Sequence, residues 1–211
     1  MENNKTLTNA FFWLFIGLLT CFGVSFLSMN YVDILYTKAN GIIFIVVEIA
    51  VALALSLFIR KIPPMVARVL YIVYTAITGL SLTGIFYIYT TASICYVFLA
   101  TAAIFGVFAV IGKTTKIDMT KWWLYLFIGL IAVLVLEIIN IFIANNTLNM
   151  ITCIAAILIF SGYVAYDVNR LVNSSYLEET GNKGIYFAFQ LFLDFINLFI
   201  KLLRLFGKTR D

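Results

Sequence analysis

Seven runs of roughly twenty apolar residues follow one another with little chain between them, and that pattern leaves few ways to fold. A helix needs about 20 mostly apolar residues to cross a bilayer. Inside the hydrocarbon each backbone N–H and C=O must find its partner within the protein, so consecutive apolar runs of this length form helices. The runs cover about 10–31, 41–60, 66–89, 92–111, 121–144, 148–170 and 184–206. Composition excludes the soluble reading. The chain is 64% hydrophobic and 11% charged, with a mean hydropathy of +1.06. A soluble domain is about half apolar and about a quarter charged. The expectation is an all-α membrane protein forming a single integral-membrane domain over 1–211.

The first run follows Lys5 but is too long for the apolar part of a signal peptide, and no small-residue cleavage site follows it. It reads as the first span. The two prolines, Pro63 and Pro64, fall after the second run, where they end one helix and stiffen the turn. The longest connection, about 171–183, is polar loop sequence.

Lys and Arg in short loops set orientation. With the N-terminus inside, Lys5, Arg60, Lys61, Arg68, Lys113, Lys116, Lys121, Arg170 and Lys183 are inner and only Lys38 is outer. Trp122 and Trp123 then stand at the level of an interfacial aromatic belt. The C-terminus conflicts with this count, since a seventh crossing puts Lys201, Arg204, Lys208 and Arg210 outside. Either the last run crosses, or it is re-entrant.

There is no histidine, so proton chemistry falls to carboxylates. Cys21, Cys95 and Cys153 are an odd set without a CxxC and read as inert small apolar residues. The net charge of +4 comes with no basic run interleaved with aromatics, which argues against a nucleic-acid partner. The bilayer is the expected partner. No phosphate-cradling glycine motif is present, and no permanently bound cofactor is expected.

Charges inside the spans carry the functional information, because an ionisable group in a bilayer costs roughly 2.5 kcal/mol or more. In the last run Gln190, Asp194, Asn197, Lys201 and Arg204 are spaced 4, 3, 4 and 3, which is one face of a helix. A polar stripe of that length faces other helices or water rather than lipid, so the last helix is expected to be surrounded by the others. Lys201 and Arg204 have a second reading, as side chains snorkelling at the helix end. Asp167 lies near the inner end of the sixth run, with Arg170 as an i,i+3 partner. It meets Asp194 only if the sixth helix runs deeper than drawn or the seventh starts later. Glu48 and Arg60 in the second run do not share one narrow face, and Arg60 either snorkels or pairs with an aspartate. Glu137 in the fifth run marks either the outer part of a polar path or a satisfied interhelical contact. Thr75-xxx-Gly79-xxx-Thr83 and Ala102-xxx-Gly106 read as close-packing patterns.

Three stretches resemble one family. GYVAYDVNRL (Gly162 to Leu171) resembles the Gly-x-x-x-Tyr-Asp signature of the Bax inhibitor family. LFLDFINLFIKLLRLFG (Leu191 to Gly207) resembles its C-terminal Leu-Asp-x-Ile-Asn-Leu-Phe signature, the most specific of the three. FLATAAIFGVFAVIGKTTKID (Phe98 to Asp118) resembles its Thr-Ala stretch followed by Thr-x-Lys-Asp. Asn169 stands where many members carry Gln. The resemblance implies six helices around a central C-terminal seventh and, for bacterial members, a pH-sensitive calcium leak channel of the plasma membrane. It implies a proton-sharing pair at Asp167 and Asp194, with Arg60 latched to it by position.

Two carboxylates in contact in a low-dielectric site cannot both ionise easily, so they hold one proton and titrate as a unit. Losing that proton leaves repelling charges, which also form hard oxygen ligands suited to Ca²⁺. Ca²⁺ is then the transported ion and H⁺ the regulator, with no enzyme activity expected. The competing readings are a proton-coupled transporter of a small solute, an intramembrane aspartyl protease, and a membrane regulator acting through partners. Tyr166-Asp167 fits half of the protease pattern, but Asp194 follows Phe-Leu rather than Gly-x-Gly.

Overall fold

A computed structural model describes residues 2–31, 38–59, 61–173 and 182–210. Among them are seven long helices: α1 Glu2–Ser28, α2 Lys38–Phe58, α3 Pro64–Leu82, α4 Thr91–Thr114, α5 Trp122–Ile143, α6 Asn146–Asn173 and α7 Lys183–Phe206. Six are long and apolar enough to cross a membrane, and α2 is apolar over Val47–Phe58. No strand occurs among the described residues, only an isolated bridge between Tyr89 and Thr209.

The helices follow the apolar runs, with informative differences. Pro64 occupies the first turn of α3, where its missing N–H costs nothing. The third run was expected unbroken to 89, yet α3 stops at Leu82 and a one-turn helix, Ile85–Ile88, follows. The break falls at Thr83, whose hydroxyl donates to the Gly79 carbonyl at 3.1 Å, and at Gly84, a poor helix former. Asp118, the last residue of the third family-like stretch, caps the turn leading into α5 by accepting from the Thr120 amide at 2.9 Å. Hydrogen bonding to Thr120 holds that carboxyl below its usual range.

The chain forms two compact units. One contains α1 to α3 and α7 up to Phe192; the other contains α4 to α6 and α7 from Leu193. In the first, α1 and α3 approach so closely that a Cβ on Gly79 would meet the Cys21 carbonyl. The Tyr71 hydroxyl spans the same seam and donates to the Trp13 carbonyl at 3.0 Å. The first half of α7 packs there through Phe189 and Phe192, edge-on to Tyr74 with ring centroids 5.3 and 6.0 Å away. In the second unit Phe195 packs on Phe98 and Phe105 of α4, at 5.4 and 5.5 Å. Such pairs contribute about 0.5–1.5 kcal/mol each beyond their burial.

Burial separates α7 from the rest. Over its apolar stretch 78% is buried, against 11% for α5. The last helix is enclosed by others, as the polar stripe required. It is also unbroken over 24 residues, about 36 Å at 1.5 Å per residue, which fits a crossing and not a re-entrant segment.

The turn between α5 and α6 is tight. Ala144 sits in the left-handed region at φ 52°, its amide donating to the Asn140 carbonyl at 2.8 Å. The Asn145 amide donates to Asn140 Oδ1 at 2.9 Å, and Asn145 Oδ1 accepts from the Leu148 amide at 3.0 Å. A β-branched residue fits that conformation badly. Ala144→Val is expected to destabilise the protein by roughly 1–2 kcal/mol, while Ala144→Gly is tolerated. Thermal unfolding in detergent checks the difference.

Candidate functional site

Asp167 on α6 and Asp194 on α7 lie in the same unit, both buried, and their carboxyl groups are close enough to interact directly. With Asp194 eleven residues beyond Lys183 at the start of α7, the depth mismatch narrows because α6 runs on to Asn173. That places Asp167 six residues, about 9 Å, from its helix end. The i,i+3 partner is also present, since the Arg170 charge acts on Asp167. Both readings of Asp167 therefore hold together. The second carboxyl oxygen of Asp194 is buried without a hydrogen-bond partner among the described residues.

What holds Asp167 at this depth is the packing of α6 on α4. Gly112 approaches α6 so closely that a Cβ there would meet the Ala165 carbonyl. One turn on, Asn169 Nδ2 donates to the Gly112 carbonyl at 3.1 Å. Ala165 and Asn169 flank Asp167, so this contact fixes the height and rotation of its side chain. The Tyr163 phenol, one turn earlier, feels the charges of both aspartates.

At the other end of the stripe Lys201 forms an ion pair with Glu137 of α5. Arg204 stands 4.0 Å from the same carboxylate and donates to Asn149 Oδ1 at 3.4 Å. Glu137 thus marks a satisfied interhelical contact. Lys201 is buried and paired, not snorkelling. Arg204 departs from the expected polar interior: its side chain is 43% exposed, because it sits in the last turn of α7 and its long stem carries the charge outward.

The remaining stripe residues turn back on their own helix. Asn197 Nδ2 donates to the Leu193 carbonyl at 2.8 Å, and Gln190 Nε2 donates to the Tyr186 hydroxyl at 3.5 Å. Glu48, in the other unit, is half-buried on α2, where its charge acts on Cys21 and Tyr74. Arg60 lies outside the described residues. The chain on either side of it is held by Asn182, whose Nδ2 donates to the carbonyls of Ile59 at 2.8 Å and Ile62 at 2.7 Å. The cysteines are free, with Cys21 and Cys153 buried and Cys95 exposed. Among the described residues no cluster of three or more His, Cys, Asp or Glu could hold a metal ion.

Sequence reasoning missed Gly112, Ala165 and Asn149. Gly112 belongs to no small-xxx-small repeat, whereas the Ala102–Gly106 pattern taken for packing has an exposed Ala102, and a Cβ on Gly106 would meet nothing within 4 Å. That pattern looks toward the surface, so its spacing carries no helix contact.

An enclosed C-terminal helix carrying one member of a buried carboxyl pair, within a bundle of apolar helices, defines a multi-pass α-helical membrane protein with an intramembrane acidic site. The profile of the family described as inhibitor of apoptosis-promoting Bax1 matches residues 3–211, and the chain belongs to this Bax inhibitor family. The inner membrane protein YbhL of Escherichia coli K12 is 34% identical over 208 residues, 94% of this chain and 89% of YbhL. An uncharacterized protein of Borreliella burgdorferi is 35% identical over 172 residues, 79% of this chain and 74% of its own. An uncharacterized membrane protein of Streptococcus pyogenes serotype M1 is 35% identical over 168 residues, 78% and 72% of the two chains.

Proposed function

We propose that this protein is a passive calcium leak channel of a bacterial plasma membrane, gated by pH through Asp167 and Asp194. The supporting observation is the buried contact between the two carboxyl groups. Two ionised carboxylates have no donor between them, so the contact requires a proton on one. With the proton shared, α6 and α7 are tied and the path is closed. As pH rises the proton leaves, two like charges remain in a low-dielectric site, and the helices part. The freed oxygens suit Ca²⁺, a hard cation that takes oxygen ligands. Arg60 is the proposed latch on the closed pair, from its place in the sequence at the inner end of the second apolar run. The inner-membrane relative supports the location, and the Lys and Arg distribution supports a cytoplasmic N-terminus.

The test is calcium entry into liposomes holding the purified protein, followed from about pH 6 to about pH 8, the range a shared carboxyl proton must span to act as a switch. Entry is expected to need only the calcium gradient and to rise with pH. Entry no greater than in empty liposomes across that range rejects the channel.

A further inference from the structure

The Glu137–Lys201 pair lies on the same face of α7 as Asp194, since 194 and 201 are two turns apart. Its carboxylate comes from α5, and the carboxyl that meets Asp194 comes from α6. These two helices form one hairpin. The turn around Ala144 joins them tightly, and Gly162 and Gly129 let α6 and α5 pack against Leu126 and Ile159. The hairpin therefore grips α7 at two levels about 10 Å apart. The second grip matters because α5 has little else. Among its side chains only Leu126 and Val133 are buried. A lysine this enclosed has no water to retreat to, so its pairing with Glu137 is maintained by the surrounding apolar packing.

We propose that Glu137–Lys201 is a second clasp that keeps the α5–α6 hairpin seated on α7 when the Asp167–Asp194 contact gives way. Its two charges attract, so it does not depend on the shared proton. It lets the carboxyl contact break and re-form without the helices losing register. The clasp sets helix positions, whether or not the path carries calcium.

The test is a distance measurement between spin labels at Phe142 on α5 and Phe206 on α7, both exposed. It uses full-length protein in nanodiscs with Cys21, Cys95 and Cys153 replaced by alanine. A second pair, at Val110 on α4 and Leu158 on α6, reports the rest of the bundle. Asp194→Ala alone is expected to keep the narrow 142–206 distribution of the wild type. Glu137→Gln with Asp194→Ala is expected to broaden and lengthen it by several ångströms, leaving the 110–158 pair unchanged. Exchanging the charges, Glu137→Lys with Lys201→Glu, in the Asp194→Ala background is expected to restore the narrow distribution. The clasp is overturned if the Glu137→Gln/Asp194→Ala protein stays as narrow as the wild type. It is equally overturned if Asp194→Ala alone broadens the distribution, if both label pairs broaden together, or if the charge exchange restores nothing.

Discussion

Asp194→Asn protein in liposomes is expected to pass calcium slowly at every pH near neutrality, with the rise seen in the wild type gone. The amide matches the carboxyl in shape and donates to Asp167, so α6 and α7 stay tied. It has no proton to lose in this range, so the tie does not respond to pH. Asp194→Ala is expected to be flat as well, but high, because nothing then holds the pair together. Asp167→Asn should resemble Asp194→Asn, since a pair that titrates as a unit fails as a unit. The sign follows from the chemistry: the closed form carries one more proton than the open form, so the wild-type leak grows as protons become scarce. Growth on the order of tenfold is expected across the transition for release of a single proton. A wild-type pH profile in Asp194→Asn sinks the gating role. Flat but opposite levels in the amide and alanine variants distinguish a gate from a residue that merely supports the fold.

Hydropathy alone located the helices, because twenty apolar residues in a bilayer have only one way to satisfy their backbone. The enclosure of α7 was legible too, since a polar stripe on an otherwise apolar helix cannot face lipid. What the sequence left open was depth and partnership. Asp167 and Asp194 are 27 residues apart in the chain; three more residues of α6, to Asn173, bring them nearer in depth, and how the two helices pack decides the rest. Hydropathy fades there because Asn169, Arg170 and Asn173 are polar, although the helix continues. Lys201 and Glu137 are 64 residues apart; the first had a second reading as a snorkelling side chain and the second as part of a polar path, and only the path of α5 decides. Small-residue spacing misled at Ala102 and Gly106 because it measures room for an approach, not the presence of a neighbour.

Gly112 is where the helix packing and the acidic site are joined, and Gly112→Val is the substitution expected to cost most without touching a charge. The new Cβ would lie against the Ala165 carbonyl, which is backbone and cannot rotate away. α4 and α6 must therefore separate, at an expected cost of about 1–3 kcal/mol for overpacking. The separation also stretches the Asn169 bond to the Gly112 carbonyl. Asn169→Ala removes only that bond and is expected to cost about 1 kcal/mol. Gly106→Val, on the same helix, gains a side chain with nothing in reach and is expected to unfold at the wild-type temperature. Melting temperatures in one detergent should therefore fall in the order Gly106→Val, Asn169→Ala, Gly112→Val. Calcium entry tests the link to function. Asp167 is two residues from both Ala165 and Asn169, so an α6 pushed off α4 shifts that carboxyl relative to Asp194. Folded Gly112→Val protein is then expected to leak at low pH, where the wild type is closed. If it is as stable as Gly106→Val and closes normally, the α4–α6 contact does not set the position of Asp167.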